Sequence, residues 1–276
     1  MNNTVLICPR NDEESLMILK IAKKMGVSVV VSEQPHGARL EKENCLVERI
    51  EEANSEAKIL VIVEIPGTKM EEDLKDLGYQ IVIIDHHRYE DFNRMKKESS
   101  LEQFLEYYNI KDENLVEMGF DPVMVAGVGA IDRGFLWELK KTLMSEGEQK
   151  QARDFYRSLT LELDPERKDR EEKAAQIVWE GRKERDSILI FHGPQGISVR
   201  SSLSFIIADN YAEPPISFII QGDKRMYVQD TEKARKLFDA FGGFTFSGDT
   251  CWGILADSGH QLPEFEDIMQ ILTTEV

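Results

Sequence analysis

Three apolar segments in the N-terminal part of the chain each run out into side chains that bind metal ions or move protons. "TVLIC" ends at Cys8 and continues into "PRNDEES", which offers Asp12 and Glu14. "AKILVIVE" ends at Glu64, just before Pro66 and Gly67, and "QIVIID" ends at Asp85, followed at once by His86 and His87. The chain has only five histidines, and two of them stand side by side at this third end. Carboxylates crowded together at low dielectric repel one another, and such a group persists mainly where cations neutralise it. The chemistry this donor set predicts is a metal centre. Each residue taken alone has a plainer reading. Asp12 and Glu14 suit the first turn of a helix, where the dipole favours acids. Glu64 suits a loop, and a lone strand-end histidine is more often a hydrogen-bonding group than a ligand. Their coincidence at three strand ends favours the metal.

The segments that deliver these groups alternate between strand and helix. "DEESLMILKIAKKMG" carries apolar residues at helical spacing and closes on Gly26; "VSVVVS" reads as a strand, and a charged helix ends near Ala57. "TKMEEDLKDLG" is a further helix with Gly78 as its stop. This alternation predicts an α/β fold with a parallel sheet, helices on both faces, and ligands outside the carboxyl ends of the strands. The middle of the chain then turns helical, from "SSLEQFLEYYNI" through "DPVMVAGVGAIDRGFLWELKKTLM" and "QARDFYRSL" to "ERKDREEKAAQIVWEGRKER", the last charged on most faces and read as a solvated or inter-domain helix. After Asp186 the pattern resets, with short strands expected at "SILIFHG", "GISVRS", "ISFIIQ" and "RMYVQD" and helices at "SLSFIIADNYA" and "TEKARKLFDAFGG". With 276 residues, two domains are expected: 1–185, a parallel-sheet domain with its helical connector, and 186–276, a smaller C-terminal α/β domain.

Charge narrows the function. Fifty-one acidic against 34 basic residues give a net charge of −17, and no basic cluster is longer than "NRMKKE". A protein that grips long duplex nucleic acid usually carries a basic stripe, so small or single-end phosphate substrates fit this chain better. Cys8, Cys45 and Cys251 are too few and scattered for a disulfide framework and suit a reducing cytoplasm. No apolar run approaches the ~20 residues of a membrane span, and the N-terminus has no secretory pattern. His36 reads as a turn residue, His192 and His260 as ordinary surface or core positions, and Cys45, beside Leu46 on a helix face, as core.

"VIIDHHRYED" resembles the signature of the DHH phosphoesterase superfamily, whose members include single-strand exonucleases, oligoribonucleases, cyclic-dinucleotide phosphodiesterases and family II pyrophosphatases. The flanking motifs follow in order. "CPRNDEE" is similar to the family's first motif, a strand ending in H-x-x-P-D-x-D; Glu64 stands for the second, a strand-end Asp; "AIDRGF" is similar to the fourth, with Asp132 as its acid. The resemblance covers the N-terminal half well and the second domain loosely. It implies two metal ions, usually Mn²⁺, one held by Cys8, Asp12 and Glu64 and the other by Glu14, Glu64, His86 and Asp132. It gives His87 a contact to the scissile phosphate and Asp85 the orientation of an imidazole. In the C-terminal domain it implies a substrate clamp, for which "GISVRSS" offers Arg200 and Ser201 and "FGGFTFSGD" offers Gly242 and Gly243.

This sequence departs from the family at several of these positions. Cys8 replaces a His, and as a thiolate it would tilt the site toward Zn²⁺ or Fe²⁺, whereas as a packed thiol it would leave the first ion short of a ligand. Glu14 and Glu64 replace Asp, with one more methylene each. The family's glycine turn continues to a His, where Phe244 to Phe246 stand here, so Gly242 and Gly243 also read as a helix-ending pair before a strand. The expected activity is hydrolysis of short single-stranded oligonucleotides or small nucleotide phosphoesters by a chain that could be a homodimer, with no membrane and no long duplex as partner. The alternative is a degenerate relative that binds a nucleotide or a protein without hydrolysis.

Overall fold

The computed structural model describes residues 3–89, 93–256 and 261–274. The chain forms two compact units that exchange short segments. One comprises the residues up to His86, Lys96–Asp132 and Leu143–Leu163; the other takes His87–Met95, Arg133–Thr142 and the chain from Asp164 onward.

In the first unit, β1 (Thr4–Pro9), α1 (Glu13–Met25), β2 (Ser28–Ser32), α2 (Leu46–Ala53), β3 (Ile59–Val63), α3 (Thr68–Asp76) and β4 (Gln80–Ile84) build a four-stranded sheet in the order β2-β1-β3-β4. All three pairings are parallel. β1 is buried along its whole length. Leu6 and Cys8 face a core with Leu16, Ile18 and Phe104, while Val5 and Ile7 face another with Leu40, Ile50 and Leu60. A strand covered on both faces is apolar at successive positions instead of alternating, which is why "TVLIC" reads as it does. α1 begins at Asp12, whose carboxylate accepts from the Ser15 amide at 2.7 Å, and ends at Gly26 in the left-handed region, φ 71°. α4 (Ser100–Tyr107), α5 (Asp112–Glu117), the first part of α6 (Pro122–Lys140) and α7 (Glu146–Leu163) complete the unit. α6 is broken at Gly134 and Phe135, just beyond Asp132.

The second unit contains α8 (Pro165–Glu180), β5 (Lys183–Arg185), β6 (Ile188–Gly193), α9 (Arg200–Asn210), β7 (Ser217–Gln221), β8 (Arg225–Gln229), α10 (Ala234–Phe241), β9 (Phe244–Phe246), β10 (Cys251–Leu255) and α11 (Phe265–Thr273). Its sheet runs β5-β6-β7-β8-β10-β9, parallel only between β6 and β7, where α9 makes the crossover. Three sequence expectations differ from this. "GISVRS" is not a strand: Val199, Leu203 and Ile207 are buried at a spacing of four, so Val199 already follows the helical period and Arg200 opens α9. The charged segment before Arg185 is not all helix, since Lys183–Arg185 pairs antiparallel with β6. The division between compact units falls at Leu163 and Asp164 instead of Arg185, because α8 buries Ala175, Val178 and Trp179 and stacks Trp179 on Phe191 of β6 at 6.2 Å. Among the described residues no helix is long and apolar enough to cross a membrane.

Candidate metal centre

The parallel sheet of the first unit brings Glu14, Glu64, His86 and Asp132 together, each from a different element. One ligand atom from each lies within 4.8 Å of the others. Glu14 sits in the first turn of α1 and is 1 % exposed. Glu64 follows β3 with φ 50°, a left-handed conformation that a residue with a Cβ adopts at a cost of about 1–2 kcal/mol; strain of this kind clusters at functional sites. His86 follows the end of β4, and Asp132 lies on α6 two residues before its break. His86 Nε2 is 2.9 Å from Asp132 Oδ2 and 3.3 Å from Glu64 Oε1.

The electrostatics are those of an acid cluster. Burial, and then the carboxylates of Asp132 and Glu64, hold the Glu14 carboxyl well above the usual range. Burial together with Glu64 and Asp132 pushes Asp12 up to about 7. Burial alone would lower the His86 imidazole, but Asp132 and Glu64 outweigh it and raise it to about 12. The donors fit a divalent ion: three carboxylates and an imidazole converge, and Glu14 Oε2 is buried with no hydrogen-bond partner among the described residues. A buried carboxylate oxygen without a donor is costly, and a cation supplies what is missing.

The remaining sequence candidates are placed as follows. Cys8 is fully buried, its thiol turned to the carbonyls of Pro9 at 3.5 Å and Ser15 at 3.8 Å, and burial with the nearby acids holds it well above the ordinary thiol range. It is outside the group of four. Asp12 is also outside it, with Oδ1 capping α1 and Oδ2 lying 3.9 Å from His36 Nδ1. Asp85 is buried, and its carbonyl accepts from the Gln103 amide at 3.2 Å. In the second unit, His87 accepts at its carbonyl from the Arg94 amide. Arg200 opens α9 with its guanidinium over Phe246 at 4.6 Å, Phe135 at 5.2 Å and Tyr227 at 5.6 Å, and Ser201 beside it is exposed. Gly242 caps α10 and its carbonyl accepts from Trp252 Nε1 at 2.8 Å; Gly243 follows with φ 87° where a Cβ would come 2.2 Å from the Gly253 carbonyl oxygen. Cys45 is exposed, not core: it precedes α2 in a left-handed conformation while Leu46 takes the inward position. His36 and His192 are exposed, and His260 lies outside the described residues.

Sequence reasoning missed the residues that orient the donors. Ser100 Oγ donates to Glu64 Oε1 at 2.8 Å, and the Leu101 amide donates to Glu14 Oε1 at 2.7 Å. Tyr156 and Thr160 of α7 both donate to Glu13, next to Glu14. A serine pair before an apolar run signals only a helix cap in sequence, and nothing local marks it as a partner of residues far along the chain.

No family model matches the sequence, and no curated protein matches it. Among solved structures the chain is similar to an exopolyphosphatase-related protein from Bacteroides fragilis, with 11 % identity, TM-score 0.49, and coverage of 98 % of this chain and 90 % of that one. It is similar to the exonuclease RecJ bound to manganese, with 12 % identity, TM-score 0.42, and 99 % and 94 % coverage. A third is a pGpG-specific phosphodiesterase from Vibrio cholerae, with 10 % identity, TM-score 0.40, and 98 % of each chain covered.

Proposed function

We propose that this chain is a metal-dependent phosphoesterase of DHH type that hydrolyses short single-stranded oligonucleotides or small nucleotide phosphoesters. The observation that carries this reading is the convergence of Glu14, Glu64, His86 and Asp132, which bring one ligand atom each within 4.8 Å of the others. Oxygen and imidazole donors suit Mn²⁺. Cys8, with its thiol turned to backbone carbonyls, gives no pull toward Zn²⁺ or Fe²⁺. A bound ion would supply Lewis-acid polarisation of a phosphoryl oxygen and a water acidic enough to attack near neutral pH.

The protein's own part is to hold and orient. Glu14, Glu64, His86 and Asp132 are the ligands; Glu14 is buried and the other three are partly buried, which strengthens the charge interactions among them. His87, next in the chain to a ligand, is assigned to the scissile phosphate, and Asp85 to orienting an imidazole, since a carboxylate behind such a ring fixes its tautomer. Arg200, with Ser201, Gly242 and Gly243, is assigned to the far end of the substrate. A net charge of −17 keeps long polyanions away and leaves a small substrate, in a cytoplasmic protein that could work as a homodimer. One observation favours the second reading, a nucleotide- or protein-binding relative without turnover: a second ion would draw on Cys8 and Asp12, one a buried thiol and the other a helix cap.

The test is elemental analysis of protein purified without chelator, followed by assay with Mn²⁺ on a generic phosphodiester and a short RNA. About one ion per chain and turnover that His86→Ala or Asp132→Ala abolishes are expected. A metal-loaded protein inactive with Mn²⁺, Zn²⁺, Fe²⁺ and Co²⁺ leaves the binding reading in its place.

A further inference from the structure

Two of the four donors are glutamates, each one methylene longer than an aspartate. Each therefore carries an additional side-chain torsion that has to be fixed before its carboxylate can hold an ion at a set distance. The first turn of α4 meets both. Ser100 Oγ donates to Glu64 Oε1, the same oxygen that His86 Nε2 approaches, and the Leu101 amide donates to Glu14 Oε1. Ser100 and Leu101 are both fully buried.

Helix capping does not explain these contacts. α4 already has a complete local cap: Ser99 Oγ accepts from the Glu102 amide, and the Glu102 carboxylate accepts from the Ser99 amide at 2.8 Å. The first amides of a helix have no partner inside it, and here the Leu101 amide is directed to a residue 87 positions away. The turn is itself held in place. Gly129 of α6 leaves room for Ser99, whose Oγ a Cβ at that position would approach to 3.0 Å. Gln103 donates to the carbonyls of Asp85 and Glu98 and accepts from Lys96 at 2.6 Å, tying α4 to the end of β4.

We propose that the Ser100–Leu101 turn of α4 is the positioning element of the metal centre: it holds Glu64 and Glu14 in their ligating rotamers. The proposal rests on the metal-site reading above and concerns affinity for the ion, not the chemical step. Outer partners of this kind typically change metal affinity 10–100-fold.

The experiment is calorimetric titration of metal-free protein with Mn²⁺, with circular dichroism to check the fold of each variant. Ser100→Ala should bind Mn²⁺ about 10–100-fold more weakly than the parent, and Ser100→Thr, which keeps the hydroxyl, should restore most of the loss. In Glu64→Asp the carboxylate withdraws by about one carbon–carbon bond, ~1.5 Å, and leaves Ser100. Ser100→Ala should then add little, the non-additivity expected of groups in contact. Parental affinity in Ser100→Ala, or an equal loss in the Glu64→Asp background, overturns the proposal. If Ser100→Ala does not fold, the Thr and Val variants, alike in shape and different in the hydroxyl, make the same comparison, and equal affinity for the pair overturns it. A parent protein that takes up no ion at all refutes the metal-site reading itself.

Discussion

The carboxyl rim of the parallel sheet in the first unit and the glycine turn of the second both present residue types that handle phosphate, yet they are built on opposite principles. At the rim, groups of like charge face one another and valences stay open: Glu14 and Asp12 are pushed up, and Glu14 Oε2 has no donor among the described residues. In the second unit the corresponding groups are already engaged. Arg88 makes a two-pronged pair with Asp249, at 3.3 and 2.8 Å, and Thr245 also donates to that carboxylate. The Arg200 guanidinium lies over three rings, those of Phe135, Tyr227 and Phe246. Gly243 is required by the passage of β10, and Gly242 by its own positive φ of 74°. Residue type alone therefore does not mark a site; the state of its partners does.

Gly243→Ala tests the architectural half of this contrast and has the largest expected effect on stability. The left-handed φ and a backbone oxygen 2.2 Å from the new Cβ leave no room for a side chain. A loss of about 3 kcal/mol or more in denaturant unfolding follows, with the Mn²⁺ stoichiometry unchanged. A variant as stable as the parent would remove the case that this glycine serves the fold.

The rim is tested by pH. The folded-state values of Asp12, about 7, and His86, about 12, are both raised above their ordinary ones. A raised group contributes stability that is full below its unfolded pKa and is lost as pH rises through its folded one. For Asp12 that window runs from 3.8 to about 7, and for His86 it opens at 6.5. Metal-free protein should therefore lose several degrees of melting temperature between about pH 5 and 7.5. Asp230, raised to about 6 by burial in the second unit, acts in the same direction. A saturating ion compensates the rim acids and leaves Asp230 untouched, so the gap between the metal-free and Mn²⁺-loaded curves should widen over this range. Parallel curves would mean that the rim acids do not face the ion.

Where the groups come from is legible in the sequence, and how they are held is not. Strand ends are set by apolar runs and breakers close in the chain, so local pattern alone places Glu64, His86 and the α1 acids on one edge of a sheet. Asp132 is marked only by the "AIDRGF" resemblance, since a helical acid two residues before a Gly has no periodic signature. The partners Ser100 and Leu101 lie 36 and 87 positions from their glutamates, and such pairings leave no local pattern. Arg200 reads as a strand residue because "GISVRS" is too short for its period to be decided, and the helix that follows it wins by continuing the buried spacing of Val199, Leu203 and Ile207.

Cys8 sharpens the contrast with the smallest perturbation, because it lies at the rim and yet is engaged as the second-unit groups are. It lies in β1 one residue before the strand ends at Pro9, its side chain packs with Leu16 and Ile18, and its thiol faces two carbonyls. A ligand would be deprotonated, whereas burial and the neighbouring acids hold this thiol well above its ordinary value, so it keeps its proton. Cys8→Ala removes a small buried group and should lower stability by about 1 kcal/mol, in line with one lost methylene-sized contact. Metal content, Mn²⁺ affinity and the order of preference among Mn²⁺, Zn²⁺ and Fe²⁺ should stay as in the parent. If the variant instead loses an ion or shifts away from Zn²⁺, then the thiol ionises in the loaded protein, the rim holds a softer second site, and the division between open and engaged groups fails at the residue where the two descriptions meet.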